Sequence, residues 1–276
     1  EEGRANFQAA VRTLSKVGVH YTRKETLLFP YLEKGGVTAP PKVMWGVDDE
    51  IRALLKTAGE AKEEEALAAA KEAEEKIRSM VQKEEEILKP MLIHHLTEED
   101  WKVVAQESPQ IGYVFTGGRE GASPSDAKAW LRDGTAEKAP LNGDPVQLPS
   151  GHFTPETLTA MLNTLPVDLT FVGADDTVHY FSETADRIFP RTRTIIGRNV
   201  SDCHPPKSLH VVEALVQAFK DGTKDTESFW IQMGDKFILI RYFAVRDADG
   251  TYLGVVETTE DIAPLRKLEG QKTLLS

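Results

Sequence analysis

The sequence predicts an α+β protein in two parts, a helical bundle followed by a sheet domain. Three observations predict it. Apolar residues in the N-terminal part recur at three- and four-residue steps, strand-like alternation begins only after Pro166, and the segment His20–Leu32 (HYTRKETLLFPYL) recurs sixty residues later as Met80–Leu92 (MVQKEEEILKPML). Two similar helices at that separation point to an up-down bundle built from related halves.

The first helix is expected over 4–34, where Phe7, Val11, Leu14, Val17, Tyr21, Leu27, Leu28 and Tyr31 form one apolar stripe, and Gly35-Gly36 ends it. Ala39-Pro40-Pro41 opens a second helix over about 41–58, and Gly59 separates it from a third over about 60–92. Thr97 caps a short fourth helix through about Glu107, closing a bundle domain at 1–107. Residues 108–153 read as a connector holding one helix near Pro124–Asp133. Thr154 as cap and Pro155 at the first position start another helix, and a sheet domain extends over 154–263. Its strands are expected at Val167–Val172, Thr177–Phe181, Thr226–Met233, Lys236–Arg246 and Thr251–Thr259, with helical segments at Ser182–Phe189 and Lys207–Asp221. A C-terminal helix over 264–276 would present Leu265, Leu268 and Leu274 to a partner or to its own domain, with Asp261 as N-cap.

A formal charge of −11 over 276 residues argues against a nucleic acid or a membrane surface as the main partner. The single cysteine, Cys203, forms no internal disulfide, so a reducing cytoplasm is expected. An eighteen-residue apolar run and a signal-peptide pattern are both missing, so no membrane span is predicted. Kinase, helix-turn-helix and phosphate-loop motifs are not apparent, which points away from an enzyme and leaves output to a protein partner or to residues before Glu1.

HYTRKETLLFP, MWGVDDEIR and KEEEILKP, in that order, resemble the haemerythrin-like HHE bundle, in the variant that stands beside a PAS domain in the DUF438 family. The resemblance implies a helical His and a carboxylate four residues on, holding iron that binds oxygen or serves redox chemistry. It also implies that a first helix, contributing another ligand, precedes Glu1. Position by position, His20 matches a family histidine, but Lys24 stands four residues on and the carboxylate falls at Glu25. Asp48 takes a histidine's place, Met80 takes the second one's, and Glu84 keeps its carboxylate. His20, Glu25, Asp48 and Glu84 are therefore the candidate metal ligands, suited to iron, manganese or magnesium. The other reading is a lost site in which Lys24 and Glu84, at equivalent repeat positions, meet and neutralise each other. The metal-binding alternative would make the protein a handler of oxygen, peroxide or nitric oxide.

LPVDLTFVGADDTVHYFSETADRIF, IIGRNVSDCHPPKSLHVVEALVQAF and the meander ending DADGTYLGVVETTEDI resemble a PAS domain. That resemblance implies a five-stranded antiparallel sheet with a cavity for haem or another small ligand, a sensing role, and a signal leaving through the last strand and following helix to a partner or a second copy. Candidate ligand-binding residues are Cys203, His204 and His210, then Arg241 and Tyr242 on the fourth strand. His210 answers either to an axial haem ligand or to a surface histidine at a helix opening, and Cys203 and His204 either to chemistry or to a loop stiffened by Pro205-Pro206. Arg241 and Tyr242 alternate, so at most one faces the cavity. Arg187, Arg191, Arg193 and Arg198 are either an anion site or a solvated surface.

Overall fold

The computed structural model describes residues 2–115 and 143–272, in two compact units: Glu1–Lys138 with Arg191–Val212, and Ala139–Pro190 with Glu213–Ser276. The expected helix near Pro124–Asp133 and Leu274 lie outside the described residues.

In the first unit the expected opening helix is interrupted twice. Helix α1 (Glu2–Ser15) gives way at Lys16 to α2 (Val17–Arg23), which runs into a π-turn at Lys24–Leu28 and then α3 (Phe29–Lys34). Next come α4 (Ala39–Glu60), with its prolines in the first turn, and α5 (Glu63–Lys83). A second π-turn, Glu84–Leu88, leads into α6 (Lys89–His95). The two π-turns fall at equivalent positions of the sequence repeat, each directly before the residue that precedes its proline. Phe29 donates its N–H to the Lys24 carbonyl and Lys89 donates to Glu84, both five residues back. In the first copy Pro30 has no N–H to offer the carbonyls of Glu25 or Thr26, so the distortion and its unserved acceptors come from one residue type. Helix α7 (Glu98–Ile111) starts at Thr97 with a reciprocal capping box through Asp100 and runs one turn beyond the expected end, past Pro109. Tyr21, Leu27, Phe29, Leu32, Ile51 and Met80 pack in one buried cluster between these helices. Met80, where a ligand histidine was expected by resemblance, is simply core, and an unbranched side chain of that size suits the irregular gap beside a π-turn.

In the second unit β1 (Val146–Leu148) and β2 (Gly151–Phe153) form a short hairpin inside the expected connector. Helix α8 (Pro155–Thr164) begins as predicted, with the Thr154 hydroxyl accepting the Thr157 N–H. Strands β3 (Asp168–Gly173), β4 (Val178–Phe181), β5 (Thr226–Met233), β6 (Lys236–Arg246) and β7 (Tyr252–Asp261) make one antiparallel sheet in the order β4-β3-β7-β6-β5. Helix α9 (Leu209–Lys220) precedes β5. Gly254 is required where β7 passes β3, because a Cβ there would sit 2.2 Å from the Val172 carbonyl oxygen.

Two expected helices of this region are absent among the described residues. Over 182–189 the chain is irregular because side chains claim its backbone groups: Asp168 accepts the Ile188 N–H at 2.7 Å, and Arg187 donates to the Ser182 carbonyl at 2.7 Å. After β7 the chain makes only a 3-10 turn at Leu265–Lys267 within the described residues. Asp261 does accept the Ala263 N–H, but Leu265 and Leu268 remain 51% and 75% exposed, so no burial pays for extending the turn.

Candidate functional site

The centre of the bundle is organised around an ammonium. Lys24 opens the first π-turn and Glu84 the second, and the Lys24 Nζ donates to Glu84 Oε1 at 2.6 Å and to Asp48 Oδ1 at 3.0 Å. His20 Nε2 lies 2.9 Å from the other Glu84 oxygen, and the Lys24 Nζ sits 4.7 Å from the centre of the Tyr21 ring. Lys24 and Asp48 are 1% and 0% exposed, whereas the His20 side chain is half exposed. Of the four predicted ligands, the structure thus gathers His20, Asp48 and Glu84, with Lys24 between the two carboxylates. Glu25 belongs to a different pair: Arg52 grips it with two hydrogen bonds of 2.9 and 2.8 Å and also holds Asp49 at 2.8 Å. Arg52 went unnoticed in the sequence, although it ends the VDDEIR stretch one helical turn beyond Asp48.

One ammonium between two buried carboxylates splits their proton affinities. Burial pushes Asp48 up to about 7 even though Lys24 opposes the shift. Glu84 is also penalised by burial, but hydrogen bonding from His20 and the charge of Lys24 hold it below the ordinary carboxylate range. Asp48 Oδ2 is buried with no hydrogen-bond partner, which leaves it suited to carry the proton. With that proton on Asp48, the Lys24 ammonium is left to balance the Glu84 carboxylate.

The candidates in the sheet region are dispersed. Cys203 ends the 3-10 turn Val200–Cys203, where its Sγ donates to the Asn199 carbonyl at 3.4 Å and burial pushes the thiol up, away from a reactive thiolate. His204 Nδ1 lies 2.9 Å from the Val200 carbonyl oxygen, and His210 is exposed in the first turn of α9. On β6, Tyr242 is paired with Glu257 and Arg241 with Thr258. Glu257 shares its face of β7 with buried Val255 and Thr259, so Tyr242 lies on the buried face and Arg241 on the opposite one, near Glu260 at 3.6 Å. Thr170, paired with Glu257 across β3 and β7, joins Tyr242 on that buried face. Three of the four arginines are already committed: Arg187 is occupied by carbonyls of its own loop, Arg193 pairs with Glu107 at 2.7 Å, and Arg198 pairs with Glu33 at 2.6 Å.

Residues 1–92 match the family model of the hemerythrin HHE cation binding domain, and residues 158–263 match that of a PAS domain. The chain joins an HHE domain to a PAS domain. Among solved structures, a C-terminal domain from Streptococcus mutans is 35% identical over 45% of this chain and 97% of its own, with a TM-score of 0.43. A sensory box sensor histidine kinase from Vibrio cholerae is 16% identical over 38% and 88%, at 0.29. The PAS domain of BvgS from Bordetella pertussis is 14% identical over 41% and 91%, at 0.32. No curated protein matches the chain.

The HHE domain implies a bound cation, and this centre does not fit a metal ion. The Lys24 ammonium stands within hydrogen-bond distance of both central carboxylates, where a divalent cation would have to displace a like charge. Among the described residues no three His, Cys, Asp or Glu side chains are arranged to hold a metal. No helix among them is long and apolar enough to cross a membrane.

Proposed function

We propose that this chain is a cytoplasmic sensory protein of the DUF438 type, in which the PAS domain receives a small ligand or a redox condition and the signal passes through helical contacts to a partner protein or a second copy. The observation that carries the reading is the contrast between its two domains. The HHE centre already holds the Lys24 ammonium between its carboxylates, while the PAS sheet carries Tyr242, Glu257 and Thr170 on its buried face, polar groups of the kind that orient a bound molecule. A haem version would require an imidazole aimed into an apolar cavity, and His210 is exposed, so an organic ligand held by hydrogen bonds fits the sheet better.

Native mass spectrometry and visible absorption of the purified full chain test this reading. The expected result is a co-purifying organic molecule whose occupancy falls in Tyr242→Phe. A Soret band lost in His210→Ala but kept in His204→Ala would instead support haem. Finding no bound molecule, together with no thermal shift from any member of a metabolite collection, would contradict the sensory reading.

A further inference from the structure

The segment Arg191–Cys203 belongs to the PAS match by sequence, yet it is built into the compact unit of the HHE domain. It has little structure of its own, only the 3-10 turns Arg193–Ile195 and Val200–Cys203. What holds it is the first π-turn. The Thr194 hydroxyl donates to the Thr26 carbonyl at 2.6 Å, and Arg198 Nη1 donates to the Glu25 carbonyl at 3.2 Å. These are the two carbonyls that Pro30 cannot serve. Arg198 also grips Glu33 with bonds of 2.6 and 3.0 Å, both side chains being 3% exposed, and Arg193 pairs with buried Glu107.

The π-turn therefore has two occupied sides. Through side chains, Lys24 and Glu25 enter the charge cluster with Asp48, Glu84 and Arg52; through backbone, Glu25 and Thr26 are held by the segment from the PAS domain. The second copy of the repeat supplies an internal comparison. Glu84–Leu88 forms the same π-turn before Pro90, and there Glu85 and Glu86, the residues equivalent to Glu25 and Thr26, are exposed. Release of the segment from the first copy would thus leave a viable turn rather than orphaned groups, which is what a two-state element needs.

We propose that Arg191–Cys203 is a strap through which the PAS domain sets the π-turn of the HHE domain and, with it, the packing of the Lys24 cluster. The two arrangements are a held turn, with Arg198 on Glu33 and the Glu25 carbonyl, and a released turn resembling the second copy. Coupling is reciprocal, so loosening the cluster also loosens the strap. This deepens the sensory reading and rests on it only for what pulls the strap; the hold itself is tested without any ligand.

Hydrogen exchange of the full chain, by NMR for the Lys24 ammonium and by mass spectrometry for backbone amides, provides the test. Arg198→Ala should speed exchange of the Lys24 ammonium and of the Phe29, Tyr31 and Leu32 amides by about tenfold or more, as expected for a locally opened element. Thr194→Val, which removes one hydroxyl at nearly constant volume, should do the same to a smaller extent and decides the matter if Arg198→Ala fails to fold. Lys24→Met should in turn speed exchange across 193–203. Lys76→Ala, which removes an exposed ion pair with Glu50, should change neither. Faster exchange confined to 193–203 in Thr194→Val, with Lys24 and the Phe29, Tyr31 and Leu32 amides unchanged, would overturn the strap while leaving ligand sensing untouched; absence of a PAS ligand would sink the sensory reading and leave the strap standing.

Discussion

Replacing Lys24 with methionine is expected to destabilise the HHE domain by about 3–5 kcal/mol, because it leaves the Glu84 carboxylate without its cation beside a buried Asp48. Methionine ends one atom short of the Nζ, which lies 4.7 Å from the centre of the Tyr21 ring, but its unbranched chain fills most of the same volume, so packing alone accounts for little of the loss. Asp48, fully buried, then faces Glu84 across the space that the ammonium occupied, with Arg52 already committed to Glu25. The triple variant Lys24→Met, Asp48→Asn, Glu84→Gln removes the charges together and should recover most of the stability, since replacing a whole buried ionic group costs far less than breaking it. Chemical denaturation followed by far-ultraviolet circular dichroism, which the bundle helices dominate, measures both. Equal losses in the single and triple variants would mean that the effect is steric.

The second large effect is on pH. Asp48 has an ordinary carboxyl value of 3.8 when unfolded and about 7 when buried beside Lys24, so between these values the folded domain holds a proton that the unfolded chain has released. Its contribution to stability is greatest below about 3.8 and is lost as the pH rises through 7, a change on the order of a few kcal/mol. Glu84 runs the other way: its folded value is depressed, so its contribution is present above its unfolded value of 4.5 and is lost as the pH falls through the folded one. Burial also raises Glu25, which adds to the Asp48 trend. From about pH 5 to 7, then, stability should fall, and Asp48→Asn should flatten that fall while keeping an acceptor for Lys24. A wild-type domain whose stability rises through this interval would contradict the assignment of the proton to Asp48.

Much of the architecture was legible in the sequence because local chemistry and burial agreed. Thr97 and Thr154 cap helices as their types predict, and the strands Lys236–Arg246 and Tyr252–Asp261 end within a residue or two of their expected places. The sixty-residue repeat carried more than helix content, since it placed Lys24 opposite Glu84 and the two side chains meet. The π-turns were less visible: helical periodicity does not distinguish a bond four residues back from one five residues back, although Pro30 and Pro90 marked where backbone acceptors would be left over. The segment 182–189 looked helical because its spacing is permissive, and Asp168 and Arg187 overrode it through long-range hydrogen bonds. Glu33 and Arg198, 165 residues apart in sequence, could not be paired from sequence, because neither has a local pattern that names the other.

The Lys24 ammonium stands where the HHE domain would hold its cation, between Asp48 and Glu84. Metal content of the full chain, purified after growth with added iron and without chelators, tests this directly. Iron, manganese and zinc are all expected far below one per chain, in the wild type and in His20→Ala alike. Stoichiometric iron in the wild-type chain, lost in His20→Ala, would contradict it.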